Sequence, residues 1–193
     1  MEAADADGLP LMVHIGGTFS PLPKILAMLK PKDLITHSFH GHDGGILDER
    51  DRVLPEVRRA TENGILLDVG HGAGSFAFRT AEKAFAQNVL PGTISSDLHQ
   101  SNVNGPVYDL ATTLSKFLHM GIGLEEVIRR ATENPAKTLA FPAGTGSLKE
   151  GAMADVAVFE LREAPWEMVD SMGEKRPGKL RLRPVATVKA GRV

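Results

Sequence analysis

Four short apolar runs in this sequence each end at a residue able to bind a metal or move a proton. They are Leu11-Met-Val-His14, Leu34-Ile-Thr-His37, Ile65-Leu-Leu-Asp-Val-Gly-His71 and Thr93-Ile-Ser-Ser-Asp97, and glycines or polar turn residues follow every one. Imidazole and carboxylate are hard-to-borderline ligands for a divalent ion. A hydrolytic site needs them on rigid elements around an open position for water. His14 and His37 are candidate ligands, each through one ring nitrogen while the other is hydrogen-bonded to hold the ring. Asp97 is a candidate ligand and also the candidate general acid/base, taking a proton from the attacking water and returning it to the leaving group. His71 suits substrate contact or oxyanion stabilisation.

A blander account applies to each residue. One histidine at a strand end is more often a hydrogen-bonded structural residue than a ligand. His40-Gly-His42 has local chelate spacing, but its glycine-rich loop reads as solvated side chains. His99 either lines the same mouth as Asp97 or caps the turn. His119 reads as charge compensation at a helix C-terminus, and Asp68 and Asp109 read as turn or cap residues. No HExxH motif is present.

The elements that must position these groups follow from the pattern. Strand, glycine-rich loop and helix recur four times, a run of βα units. The steps His14 to His37, His37 to His71 and His71 to Asp97 each fit one unit of about 30 residues. Parallel strands in such units bring their C-terminal ends to one mouth, as in a β/α barrel. Helices are expected at residues 2–7, Leu22 to Leu29, Pro55 to Glu62, Ser75 to Gln87, Asp109 to Met120 and Leu124 to Thr132, with a helical turn from Ala136 to Phe141. From about Gly144 the character changes. Ala154 to Phe159 reads as a strand, and Val185 to Val188 with Arg192-Val193 as a second short pair. The proline- and charge-rich stretch Glu163 to Lys179 lies between them. The expected division is a barrel-type segment, 1–143, and a small β segment, 144–193.

Composition narrows the function classes. The chain has 193 residues, 42% hydrophobic and 24% charged, as for an ordinary globular core. A formal net charge of −2 gives no electrostatic case for nucleic acid or an anionic membrane. With no cysteine, any metal site must use imidazole and carboxylate, a set that suits zinc, manganese, iron or cobalt. No apolar run approaches the roughly 20 residues needed to span a bilayer. The acidic start, Met1 to Gly8, lacks a signal-peptide core, so the cytoplasm is the expected location.

The motifs resemble the amidohydrolase superfamily of metallo-dependent hydrolases. The segments that carry this are Leu9-Pro-Leu-Met-Val-His-Ile-Gly16, Leu34-Ile-Thr-His-Ser-Phe-His-Gly41, Asp68-Val-Gly-His-Gly-Ala-Gly-Ser-Phe76 and Thr93-Ile-Ser-Ser-Asp-Leu-His99, closest to the dihydroorotase-like, amidohydrolase/deacetylase branch. Thr132-Glu-Asn-Pro-Ala-Lys137 and Gly146-Ser-Leu-Lys-Glu-Gly-Ala-Met-Ala-Asp-Val156 resemble its last helix and its return into a small β-domain. The resemblance implies an α/β fold: the C-terminal half of a TIM (β/α)8 barrel, strands five to eight, plus a short C-terminal β-sandwich segment. It places His14 and His37 at strands five and six as metal ligands, His71 at strand seven facing substrate, and Asp97 at strand eight as ligand and general acid/base. It implies hydrolysis of an amide or ester bond in a small molecule, with one or two divalent ions, often zinc.

One departure is large. The family's strand-one His-x-His pair and its strand-four lysine have no counterpart before His14, and four units do not close a barrel of about 250 residues. Three readings follow. The chain is a hydrolase half that works with a missing half or a second copy. Alternatively it is a truncated, inactive amidohydrolase fragment that self-associates through open edges. The third reading is an unrelated α/β protein with structural histidines.

Overall fold

A computed structural model describes residues 2–193. Three short parallel strands, β1 (Met12–His14), β2 (Leu34–Thr36) and β3 (Leu66–Leu67), lie side by side in that order. Met12 pairs with Leu34 and Leu34 with Leu66, so the three C-terminal ends point the same way. The register is pinned at the opposite end by Asp33. Its fully buried carboxylate accepts from Leu11 N–H at 2.8 Å and Lys30 N–H at 2.9 Å, tying the starts of two strands together.

The fourth apolar run, Thr93 to Ser96, lies beside β3 without forming a full ladder. Val69 N–H donates to Thr93 O, His71 N–H to Ser95 O and Gly72 N–H to Ser96 O. Ile94 N–H instead turns away to Arg130 O at 2.9 Å. Thr93 N–H donates back to Leu67 O at 3.3 Å, so the two-way pairing is confined to the isolated parallel bridge Asp68–Thr93.

Helices α1 (Glu2–Ala6), α2 (Leu22–Leu26), α3 (Pro55–Glu62), α4 (Phe78–Phe85), α5 (Leu110–His119), α6 (Leu124–Ala131) and α7 (Glu133–Thr138) accompany this sheet. Pro55 opens α3 at its first position, where a missing N–H costs nothing. Asp109 caps α5 by accepting from Thr112 N–H at 2.5 Å, as its cap reading anticipates. Ile35, Leu67, Val69, Phe39, Phe76, Phe78 and Phe117 form the buried centre. Each large apolar side chain buried there contributes about 1.5–3 kcal/mol.

The proline- and charge-rich stretch read as lying between two short strands is itself mostly strand. β4 (Val156–Val169) and β5 (Lys175–Val188) form one long antiparallel ribbon through Glu163 to Lys179. Its prolines are tolerated because a two-stranded ribbon has outer edges that require no N–H donor, and the register shifts twice, once across Ala164-Pro165. Gly178 is required opposite Trp166, since a Cβ there would stand 2.3 Å from the indole nitrogen. The ribbon is also not separate in packing. Met168 and Leu182 enter the same core, and Leu182 N–H donates to Ser115 Oγ of α5 at 2.9 Å.

The ribbon's tip explains the late start of α4. Ser75 does not cap that helix. Asp170, buried at the tip, accepts from Phe78 N–H at 2.9 Å, and its other oxygen accepts from Met172 and Glu174 N–H at 2.8 Å. The cap comes from far along the chain, where local sequence patterns do not look for it.

Candidate metal and active site

β1 and β2 deliver His14 and His37 ring to ring, with centroids 4.2 Å apart and planes at 77°. His14 is exposed at the sheet's edge, whereas His37 is buried. His37 has a left-handed backbone, φ 66°, at the point where β2 ends. Its Nδ1 lies 2.6 Å from Gly70 O. The carbonyl can only accept, so Nδ1 carries the proton and the Nε2 lone pair is free. That is the tautomer a metal ligand needs.

Gly70 makes this contact possible. A Cβ at that position would stand 2.3 Å from Thr36 Oγ1 and 2.6 Å from His37 Nδ1, and its φ is +47°. Gly72 plays the same part for Asp97: a Cβ there would lie 2.7 Å from Asp97 Oδ2. Asp97 itself has φ 48° and an exposed side chain. Its backbone is held by Asn102, which is fully buried and donates through Nδ2 to Asp97 O at 2.8 Å. Non-glycine residues in left-handed conformations cost of order 1–3 kcal/mol and persist only where neighbours over-determine them. Two of the four expected site residues are held in this way.

The donor chemistry of His14 and His37 fits a divalent ion. The convergence is incomplete, however: among the described residues no group of three or more histidine, aspartate or glutamate side chains is arranged to hold one. The structure brings the two histidines together and does not bring Asp97 into a three-ligand set with them.

His71 departs from its expected place. It is fully buried and stacked on Phe76 at 4.7 Å. Lys116 Nζ donates to its Nε2 at 2.7 Å, and Nδ1 donates to Gly72 O at 3.0 Å. Both ring nitrogens are thus engaged within the protein, and Nε2 acts as an acceptor, the opposite of an oxyanion donor. Burial, reinforced by the Lys116 charge, pushes His71 down to about 3.

Lys116 is the polar residue the sequence reading passed over. Its ammonium is fully buried and also donates to Pro106 O at 2.8 Å and Val169 O at 2.7 Å. Burial pushes it down to about 7, against the pull of Asp170 and Asp109. In the structure α5 is buried from Ala111 through Phe117, on every side, so Lys116 has no solvent-facing slot, and the local sequence carries no mark of that.

Asp68 is neither a turn nor a cap residue. It is buried and accepts from Thr36 Oγ1 and Ser95 Oγ at 2.7 Å and from Thr93 Oγ1 at 2.6 Å, joining β2, β3 and the fourth run below the site. His40 is not solvated either. It is buried, its Nδ1 accepts from His42 N–H at 3.2 Å, and its Nε2 has no partner among the described residues. Burial, then the neighbouring His42 and His37, lowers His40 to about 4. His42 is exposed and its Nε2 lies 2.9 Å from Gly74 O, so this pair is not arranged as a chelate. His99 and His119 are both exposed.

The sequence matches the amidohydrolase family over residues 31–192. A deacetylase of Enterococcus faecalis is 37% identical over 187 residues, covering 96% of this chain and 50% of that protein. A deacetylase of Agrobacterium fabrum is 40% identical over 166 residues, 86% of this chain and 40% of that protein. A crystal structure described as an adenine deaminase superposes with a TM-score of 0.95 at 35% identity, covering 99% of this chain and 52% of that one. One described as a dihydroorotase gives 0.89 at 37% identity, covering 98% and 49%. The chain therefore spans about half the length, or less, of these relatives. With the family match running through His37, His71, Asp97 and the ribbon, the chain belongs to the amidohydrolase family.

Proposed function

We propose that this chain is the C-terminal half of a β/α-barrel hydrolase site that cleaves an amide or ester bond in a small molecule, deacetylation being the favoured reaction. The observation that carries this is the His14–His37 pair, two imidazoles in contact at adjacent strand ends, one of them fixed as a free Nε2 by Gly70. His14 and His37 would hold a divalent ion, zinc being the first choice for an imidazole and carboxylate set. A bound ion there supplies Lewis acidity to a carbonyl and makes water a better nucleophile at neutral pH.

Asp97 is assigned as third ligand and as the group that accepts the water proton and returns it to the leaving nitrogen or oxygen. Its exposed carboxylate above Gly72 suits that exchange. His71 acts on the reaction only from behind, by shaping the strand end that carries Gly72. The remaining ligands are assigned to a complementary segment, because the relatives are about twice as long as this chain. Two copies meeting along the edge strand β1 is the competing arrangement, and the inactive fragment is the competing function.

The test is complementation. The chain is mixed with the part of the Enterococcus faecalis relative that it does not match, zinc is added, and N-acetyl amino acids and aryl acetates are assayed. Hydrolysis that appears only in the mixture, and is lost with Asp97→Asn, supports the reading. A stable mixed complex that turns over neither class contradicts it.

A further inference from the structure

We propose that Lys116 is a positioning residue for Asp97, gripping the chain on both sides of it; this rests on the assignment of Asp97 above. On one side, Lys116 holds His71 by its Nε2, and the strand end that carries His71 bonds to the run leading into Asp97. His71 N–H donates to Ser95 O at 3.2 Å and Gly72 N–H to Ser96 O at 3.1 Å. Gly72 is thereby set directly beneath the Asp97 carboxylate. On the other side, Lys116 donates to Pro106 O, in the loop that leaves Asp97. That loop is closed by Asn102, whose side chain accepts from His99 N–H and donates to Asp97 O, and whose carbonyl accepts from Tyr108 N–H.

The third donor goes to Val169 O at the ribbon's tip. Ser171, two residues on, places its hydroxyl 3.0 Å from His71 O and 2.8 Å from Gly72 O. The ribbon therefore closes the same clamp from outside. Three ammonium protons meet three acceptors on three separate segments. No apolar side chain at 116 could replace that, and the buried His71 Nε2 would be left without its donor. The left-handed backbone of Asp97 is the kind of conformation such over-determination sustains.

The test uses the full chain with Lys116→Met, Ser171→Ala and the conservative Ser171→Thr. Amide hydrogen exchange is followed at Ser96 to His99, with α3 as an internal reference for global stability. Cobalt affinity is measured in parallel by its visible absorption. Exchange at Ser96 to His99 is expected to rise tenfold or more in Lys116→Met with α3 unchanged, and several-fold in Ser171→Ala with recovery in Ser171→Thr. Cobalt affinity should fall about 10–100-fold in Lys116→Met, the usual cost of losing an outer support. Exchange that rises equally in α3 and at Asp97, or at neither, overturns the positioning role. If Lys116→Met does not fold, Ser171→Ala decides by the same criterion. Absence of cobalt binding by the unsubstituted chain would count against the metal site alone, since the exchange pattern is read without metal.

Discussion

His37 rests its Nδ1 on the carbonyl of Gly70, one strand away, at 2.6 Å. The contact selects the ring's tautomer and leaves the Nε2 lone pair free, in a ring that lies edge-on to His14. It exists because residue 70 has no side chain and can take φ +47°. Gly70→Ala should therefore do two things. It should destabilise the fold by about 1–3 kcal/mol through the left-handed backbone alone, and it should displace the His37 ring. Denaturant unfolding measures the first. Loss of metal binding at a temperature where the variant remains folded measures the second.

Acid stability should depend on His71 and His40. Both are buried neutral, His71 lowered to about 3 and His40 to about 4 from an ordinary value of 6.5. As pH falls below 6.5 the unfolded chain takes up these protons and the folded chain does not. Stability is therefore full above pH 6.5 and is lost progressively as pH falls toward each folded value. Between pH 6.5 and 5, before most carboxylates titrate, the loss should follow about two protons. His71→Gln should remove one of them and the His40→Gln, His71→Gln double variant both. Urea midpoints across that window give the slopes.

Asp68 knits three strands through three hydroxyls. Asp68→Ala leaves those hydroxyls without their acceptor and should cost about 4 kcal/mol or more, at about 1.5–3 kcal/mol for each of the three bonds to the carboxylate. Asp68→Asn keeps one oxygen, and the hydroxyls can rotate to accept from the amide, so it should cost less than half as much. Equal losses in the two variants would mean the hydroxyl network contributes little.

Much of this arrangement was legible in the sequence, and the failures have a common cause. His14, His37 and Asp97 stand at the ends of short apolar runs that give way to turn-forming segments, and Pro55 and Asp109 set helix starts by local chemistry. What escaped was made by partners distant in the chain. Asp170 caps α4, Lys116 meets His71, and Asp68 gathers hydroxyls from neighbouring strands. None of these leaves a periodic or short-range mark. The ribbon's two ends were read as short strands, Ala154 to Phe159 and Val185 to Val188, but its middle was not, for a different reason. Proline and charge argue against a buried strand, yet a two-stranded ribbon has free edges on both sides.

The central claim is that His14 and His37 together hold a divalent ion. The direct test is titration of the purified chain with cobalt or zinc, followed by elemental analysis after desalting, beside His14→Ala and His37→Ala. Saturable binding of about one ion per chain, lost in both variants while their folding is intact, is the predicted result. No saturable binding, or binding that survives both substitutions, would contradict it.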